Sequence, residues 1–310
     1  MLESKKSVLV TGASGVLGAA VYNAFQGAGF HVVGLSYSQT KEGLIRLDLS
    51  EDLLVKDGAS LKKLFGDHKF NCVIHCAAER RPDAFKEGTP SAAAAAKLNK
   101  DVPGHLAEIC KDNDATIVYI STDYVFDGTT PPYKPNSPTN PLQEYGITKL
   151  AGEEAVLGVG GARVVILRVP VLYGPAPNNS DSAINILVDI VQDKSGKTYK
   201  MDDYARRYPT NVLDIASFLV RLLNLDKVLL PVMHYSASEC FTKYKMCEIF
   251  GQILGRPISH IIRDSSAPMD GVARPKDCQL CTEGTVELVG DLHCSNFEEW
   301  WTKHLTDTRK

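Results

Sequence analysis

The sequence predicts an α/β fold built on a doubly wound parallel sheet, with a smaller C-terminal lobe. Three observations support this. Short apolar runs rich in β-branched residues alternate with segments whose apolar residues recur at helical spacing, as expected for strands covered on both faces by crossover helices. A glycine-rich turn joins the first such run to the first helical segment. The 310 residues exceed what a single hydrophobic core usually organises, and the strand–helix rhythm changes beyond Gly174.

Val8-Leu9-Val10-Thr11 is the first strand, and Val16, Leu17, Ala20, Val21 and Phe25 trace the apolar face of the first helix. Phe30 to Leu35, Cys72 to Cys76, Thr116 to Ile120 and Val164 to Leu167 are the next four strands. The Ala92 to Ala96 run leads into Leu98, Val102, Leu106 and Ile109 at helical spacing and reads as a tightly packed helix. From Phe126 to Gln143 the prolines 131, 132, 135, 138 and 141 forbid a regular element and predict a stiff loop. Further helices are expected near Ser182 to Val191, Val212 to Leu223 and Thr242 to Leu254.

Composition narrows the function. With 44% hydrophobic and 23% charged residues and a net charge of -3, the chain carries no electrostatic footprint for nucleic acid or anionic lipid. No stretch approaches the 18 apolar residues of a membrane span, and the few residues before Val8 do not read as a secretory signal, so a cytoplasmic protein is expected. Cys72, Cys76, Cys110 and Cys247 fall in apolar segments and read as reduced core thiols. Cys278 and Cys281 have ligand spacing, but His293 and Cys294 are adjacent, which is poor chelate geometry, so no metal site is expected.

In Thr11-Gly12-Ala13-Ser14-Gly15-Val16-Leu17-Gly18 the glycines stand three apart between a strand and a helix. In that context Gly12 permits a tight turn, Gly15 lets a pyrophosphate reach the backbone, and Gly18 allows close helix packing, with Ser14, Val16 and Leu17 completing the helix N-terminus that attracts anions. The second strand ends in Leu35-Ser36-Tyr37-Ser38-Gln39-Thr40-Lys41, with no carboxylate to bind ribose hydroxyls. Ser36, Ser38 and Lys41 can meet a 2′-phosphate, so NADP is favoured over NAD. Asp48 and Leu49 are placed to hold the adenine edge, with a plain turn aspartate as the alternative. The expected division is a dinucleotide-binding domain over 1–173, to which 210–235 returns, and a smaller lobe formed by 174–209 and 236–310.

Tyr145 and Lys149 stand one helical turn apart, and Ser121-Thr122 ends the fourth strand, at the sheet edge where side chains meet a cofactor. A Thr122 hydroxyl can orient a carbonyl while Tyr145 donates a proton and Lys149 lowers the phenol's pKa. Asn99 is a candidate for a proton relay through water. Arg80 and Arg81 follow the third strand and are candidates for a substrate or partner anion. The Trp300-Trp301 pair is expected to pack the final helix onto the lobe.

The glycine turn, His75-Cys76-Ala77-Ala78, Thr122, Tyr145 with Lys149, and Arg168-x4-Tyr173-Gly174-Pro175 together resemble the extended short-chain dehydrogenase/reductase family. Ile120 to Gly128 and Tyr145-Gly146-x-Thr148-Lys149 are similar to the branch containing dTDP-4-dehydrorhamnose reductase. Val73 to Asp83, Arg207-Tyr208-Pro209-Thr210-Asn211-Val212, Thr242-Lys243-Tyr244 and Arg274-Pro275-Lys276 resemble, more particularly, the regulatory beta subunits of methionine adenosyltransferase. The resemblance implies a Rossmann fold, cofactor contacts from Ala77, Ala78 and Arg168, and substrate or partner contacts from Arg207 and Arg274. It also implies an NADP-binding regulator that docks on the catalytic subunit of methionine adenosyltransferase and tunes S-adenosylmethionine synthesis. The alternative it implies is an NADPH-dependent nucleotide-sugar reductase using Thr122, Tyr145 and Lys149. Two stretches depart from the pattern: Lys134 to Ser137, where both groups usually have acids, and the segment from Trp300 to Lys310, which differs from the beta subunits.

Overall fold

The computed structural model describes residues 6–37, 41–86, 88–267 and 275–307. Strand β1 (Ser7–Thr11) runs through the centre with all five residues buried, and feeds helix α1 (Val16–Gly27). There follow β2 (His31–Ser36), β3 (Leu44–Arg46), α2 (Leu49–Val55), α3 (Ala59–His68) and β4 (Cys72–His75). The alanine-rich run forms α4 (Pro90–Ala96), started by Pro90 and a Thr89 cap, and passes through a π-helical turn at Lys97–Asp101 into α5 (Val102–Asp112). Next come β5 (Thr116–Thr122), α6 (Glu144–Leu157) and β6 (Arg163–Val169).

These strands, with β10 (Val232–His234), form one sheet in the order β3-β2-β1-β4-β5-β6-β10, and every neighbouring pair is parallel. The winding reverses between β1 and β4, which opens a crevice at the carboxyl ends of those strands. Alternation along β1 assigns its side chains to the two faces. Val8 and Val10 join a cluster with Val21 and Phe25 of α1, and with Phe218 and Leu219 of α8 (Val212–Leu223). Leu9 joins the opposite cluster, with Phe65 of α3 and Leu106 and Ile109 of α5.

The remaining elements are β7 (Leu172–Tyr173), paired with β9 (Thr210–Asn211); β8 (Tyr199–Asp202), paired with β11 (Ile261–Asp264); and the helices α7 (Ile186–Gln192), α9 (Lys243–Leu254), α10 (Glu283–Val289) and α11 (Phe297–Asp307). A third core gathers Leu187, Phe250, Met201, Ile261, Phe297 and Trp301, so the second tryptophan of the pair is a core residue.

The five expected strands and the expected helices are present, with ends that coincide or are displaced by at most four residues. Two short strands of the main sheet went unread, β3 and β10. Each has three residues, too few for periodicity to mark. The proline-rich segment 126–143 forms neither helix nor sheet beyond an isolated bridge between Tyr133 and Leu280. Phe126 and Tyr133, stacked at 4.2 Å, pack with Cys278 and Leu280 into a fourth small core. The Cys278 thiol points to the Phe126 carbonyl at 3.5 Å. Among the described residues no three His, Cys, Asp or Glu side chains are grouped to hold a metal ion, and no helix is long and apolar enough to cross a membrane.

Candidate functional site

The crevice begins at the glycine turn. Gly12 has φ +65, and a Cβ on it would lie 2.8 Å from the Ala77 nitrogen, so β1 and the segment after β4 touch there backbone to backbone. The Ala77 N–H donates to Thr11 Oγ1 at 3.3 Å. A Cβ on Gly18 would stand 2.1 Å from the Gly12 oxygen, which accepts the Gly15 N–H at 2.9 Å. Gly15 is exposed and caps α1 without a side-chain acceptor, leaving the first N–H groups of that helix, including those of Val16 and Leu17, uncapped by a side chain beside the carboxyl end of β1. Such an end can take a phosphate. Ser14 is half-buried beside it, and Ala78 lies half-buried just past Ala77.

At the end of β2, Ser36 is buried and its hydroxyl has no partner among the described residues. Lys41 is exposed, while Ser38 and Arg274 lie outside the described residues. Two expected contacts are differently used. Asp48 caps α2, its Oδ1 accepting from the N–H groups of Ser50 at 2.9 Å and Glu51 at 3.1 Å. Leu49 is a core residue beneath the sheet.

The second half of the site gathers at the end of β5. Thr122 is buried, donates to Asp123 Oδ1 at 3.1 Å and accepts from the Tyr124 N–H at 3.2 Å. The Tyr145 ring stands edge-on to Phe85 at 6.2 Å and to Tyr124 at 6.5 Å. Burial pushes its phenol up to about 12, and the Asp123 carboxyl acts in the same direction, against the Arg80 guanidinium and the nearby Thr122 hydroxyl. Lys149 is buried, with its ammonium 3.8 Å above the Tyr119 ring. Burial lowers it to about 7, opposed by Glu153 and Cys76. The expected contact between Lys149 and the phenol is not made here: the ammonium sits over Tyr119, and the largest influences on Tyr145 besides burial are Asp123, Arg80, Thr122 and Tyr124.

Asp123 is a site residue that sequence reasoning missed. Buried at the mouth of β5, it is pushed up to about 7 by desolvation, against the pull of Arg207 and Thr122. The signal was present, because an acid beside Ser121-Thr122 at the carboxyl end of a central strand occupies the ligand edge of the sheet. Arg207 is itself buried, 5.9 Å from the Tyr124 ring, and its Nη1 donates to the Arg206 carbonyl. Arg80 reaches across the crevice to donate to the Asp181 carbonyl, whereas Arg81 is exposed and paired with Glu79 at 2.6 Å.

Two further expectations change. Asn99 sits buried in the π turn, with Nδ2 donating to the Glu79 carbonyl at 2.8 Å and the Thr148 hydroxyl at 3.2 Å, and Oδ1 accepting the Glu79 N–H at 2.9 Å. One amide hydrogen holds the segment after β4 and the other holds α6, so both are engaged in a tie between these segments and neither is left for the expected relay. Arg168, expected at the cofactor, is buried in a forked pair with Glu153, at 2.9 Å from Nε and 2.7 Å from Nη2. Its Nη1 donates to the Pro135 carbonyl at 3.0 Å, which anchors the proline-rich loop to the sheet.

Comparison with known proteins places this arrangement. Residues 6–309 match the RmlD substrate binding domain family. The chain belongs to the RmlD substrate-binding family. Within it, the chain is 39% identical over 280 residues to methionine adenosyltransferase 2 subunit beta of Bos taurus, covering 89% of this chain and 80% of that one. The Xenopus tropicalis protein of the same name is 40% identical over 289 residues, 92% of this chain and 83% of that one. A probable low-salt glycan biosynthesis reductase of Haloferax volcanii is 30% identical over 296 residues, covering 92% of each chain. Among solved structures, a dTDP-4-dehydrorhamnose reductase of Clostridium acetobutylicum superposes with a TM-score of 0.80 at 24% identity, covering 98% of this chain and 100% of that one. That of Bacillus anthracis, solved in complex with NADP, gives 0.79 at 22% identity, covering 96% and 97%. These two likenesses show that the RmlD-family chain has the Rossmann-type fold.

Proposed function

We propose that this chain binds a nicotinamide dinucleotide, NADP ahead of NAD, and serves in the cytoplasm as a regulatory beta subunit for the catalytic subunit of methionine adenosyltransferase, modulating S-adenosylmethionine synthesis. The observation that carries the regulatory reading is identity of 39% to 40% to named beta subunits, spread over 80% to 83% of their length. The residues fit the dinucleotide. The close backbone approaches at Gly12 and Gly18 and the bare Gly15 support a phosphate cradle, and the buried, unpartnered Ser36 hydroxyl at the end of β2 is read as a donor for a ribose or its phosphate. The preference for NADP is supported by the absence of a carboxylate from Leu35-Ser36-Tyr37 and by Lys41 beyond it. In this reading 174–209 and 236–310 form the lobe that takes the second ligand or partner.

A second reading, reduction of a nucleotide-sugar ketone, is favoured by the convergence of Thr122 and Tyr145 and by the Haloferax relative. Bound nicotinamide would supply hydride equivalents. The chain's own part would be to orient the carbonyl with Thr122 and protonate it from Tyr145. A phenol held up near 12 keeps its proton at neutral pH, as a donor must.

The test combines the purified catalytic subunit of a methionine adenosyltransferase with the wild-type chain and with Tyr145→Phe, with and without NADP. A regulator changes adenosyltransferase rate in both forms, and Tyr145→Phe still binds NADP. NADPH oxidation with a dTDP-4-keto sugar, lost about a hundredfold in Tyr145→Phe and unaccompanied by any effect of the wild type on the adenosyltransferase, replaces the first reading with the second.

A further inference from the structure

Tyr119 lies wholly inside the protein in the middle of β5, with its ring face 3.8 Å from the Lys149 ammonium. Its hydroxyl is within donating distance of two backbone carbonyls, Asn99 at 3.1 Å and Lys149 at 3.2 Å. The first belongs to the π turn and the second to α6, so one side chain joins three elements where the lysine leaves its helix. Gly152 makes this possible, because a Cβ there would stand 2.3 Å from both the Tyr119 hydroxyl and the Asn99 oxygen. His75 stacks on the same ring with centroids 5.8 Å apart and planes 17° from parallel.

We propose that Tyr119 is the positioning residue of this site, its ring face seating the Lys149 ammonium and its hydroxyl fixing the backbone that carries it. Its service to a bound dinucleotide rests on the reading above, while the seat itself involves only this chain's residues. A ring face attracts a cation through its quadrupole, most strongly where water is excluded. The other groups that face Lys149 are Glu153, Cys76 and His75. Glu153 is already paired with Arg168, burial drives the Cys76 thiol up to about 12, and burial with the Lys149 charge drives the His75 imidazole down to about 3. Thiol and imidazole are therefore neutral at pH 7. Among the described residues no hydrogen-bond acceptor reaches Lys149 Nζ, which leaves the aromatic face as the contact that locates the charge.

The test titrates Lys149 directly, by NMR of protein labelled with ¹³C at lysine Cε, in the absence of dinucleotide, with the signal assigned through Lys149→Arg. Tyr119→Phe keeps the ring and should hold the midpoint within about 0.3 pH units. Fluorinated phenylalanines at position 119 keep the shape but drain the ring face, and should lower the midpoint stepwise by about 0.4 to 1.5 units in all. A midpoint that does not move across the fluorinated series overturns the seat. The hydroxyl is tested by hydrogen exchange in Tyr119→Phe, where amides of 97–101 and 149–152 should exchange at least several-fold faster, and unchanged protection there overturns the backbone role. Dinucleotide affinity of the wild type is measured alongside. Its absence would refute the cofactor reading without touching either result.

Discussion

At Gly15 a single missing side chain separates the end of α1 from any anion that approaches it. Gly15→Val would put a branched group at that exposed cap, where the one atom near its Cβ is the Gly12 oxygen at 3.3 Å, a tight contact that a small shift of the turn relieves. The variant should fold, show an unchanged circular dichroism spectrum and bind neither NADP nor NAD by calorimetry. Unchanged affinity would refute the phosphate site. At the far end of the crevice, Ser36 and Lys41 set a second expectation: NADP should bind the wild-type chain about tenfold tighter than NAD, a difference of about 1.4 kcal/mol. The reverse order by calorimetry would dismiss the role given to Ser36.

Single elements show how much could be read from the sequence. The turn from β1 to α1 was legible because its glycines are needed for local reasons: a left-handed φ at Gly12 and contact distances set within a few residues. Tyr145 and Lys149 were legible as neighbours because a helix fixes their separation. Where the lysine points was not, since it depends on Tyr119 arriving from β5 and on the gap at Gly152. Arg168 failed for the same reason: its partner Glu153 lies on another element, and nothing in a linear string marks the pair. That pair also carries a prediction. Both side chains are nearly inaccessible, at 5% and 2% exposure, and Ser121 donates to Glu153 as well. Arg168→Ala would leave a buried carboxylate without its counter-charge and release the Pro135 carbonyl, so denaturant titration should find a loss of about 3 to 5 kcal/mol. A loss below about 1 kcal/mol would mean that water enters and solvates Glu153.

Across the whole molecule, acid should destabilise the fold. Burial brings His75 and His234 down to about 3 from an ordinary 6.5. As pH falls below 6.5 an unfolded chain protonates both rings while the folded chain does not, so the unfolded state takes up more protons and stability drops. Asp123 works in the other direction, because the folded chain holds its proton up to about 7 and an unfolded one releases it near 3.8. Two histidines outweigh one carboxyl, and the denaturation midpoint should be lower at pH 4.5 than at pH 7; a higher midpoint at pH 4.5 would contradict the buried neutral rings. The position of β10 has a consequence for how the chain is made. Its pairing partner β6, an apolar strand whose charged residues are Arg163 at its start and Arg168, leaves the ribosome about 60 residues earlier, which at ~5–20 residues per second is roughly 3 to 12 s. During that interval Val164 to Val169 have β5 on one side and a bare row of peptide groups on the other, a template for pairing with a neighbouring nascent chain. Chains cut short before Val232 should therefore associate edge to edge during synthesis, which the three residues of β10 prevent in the finished protein.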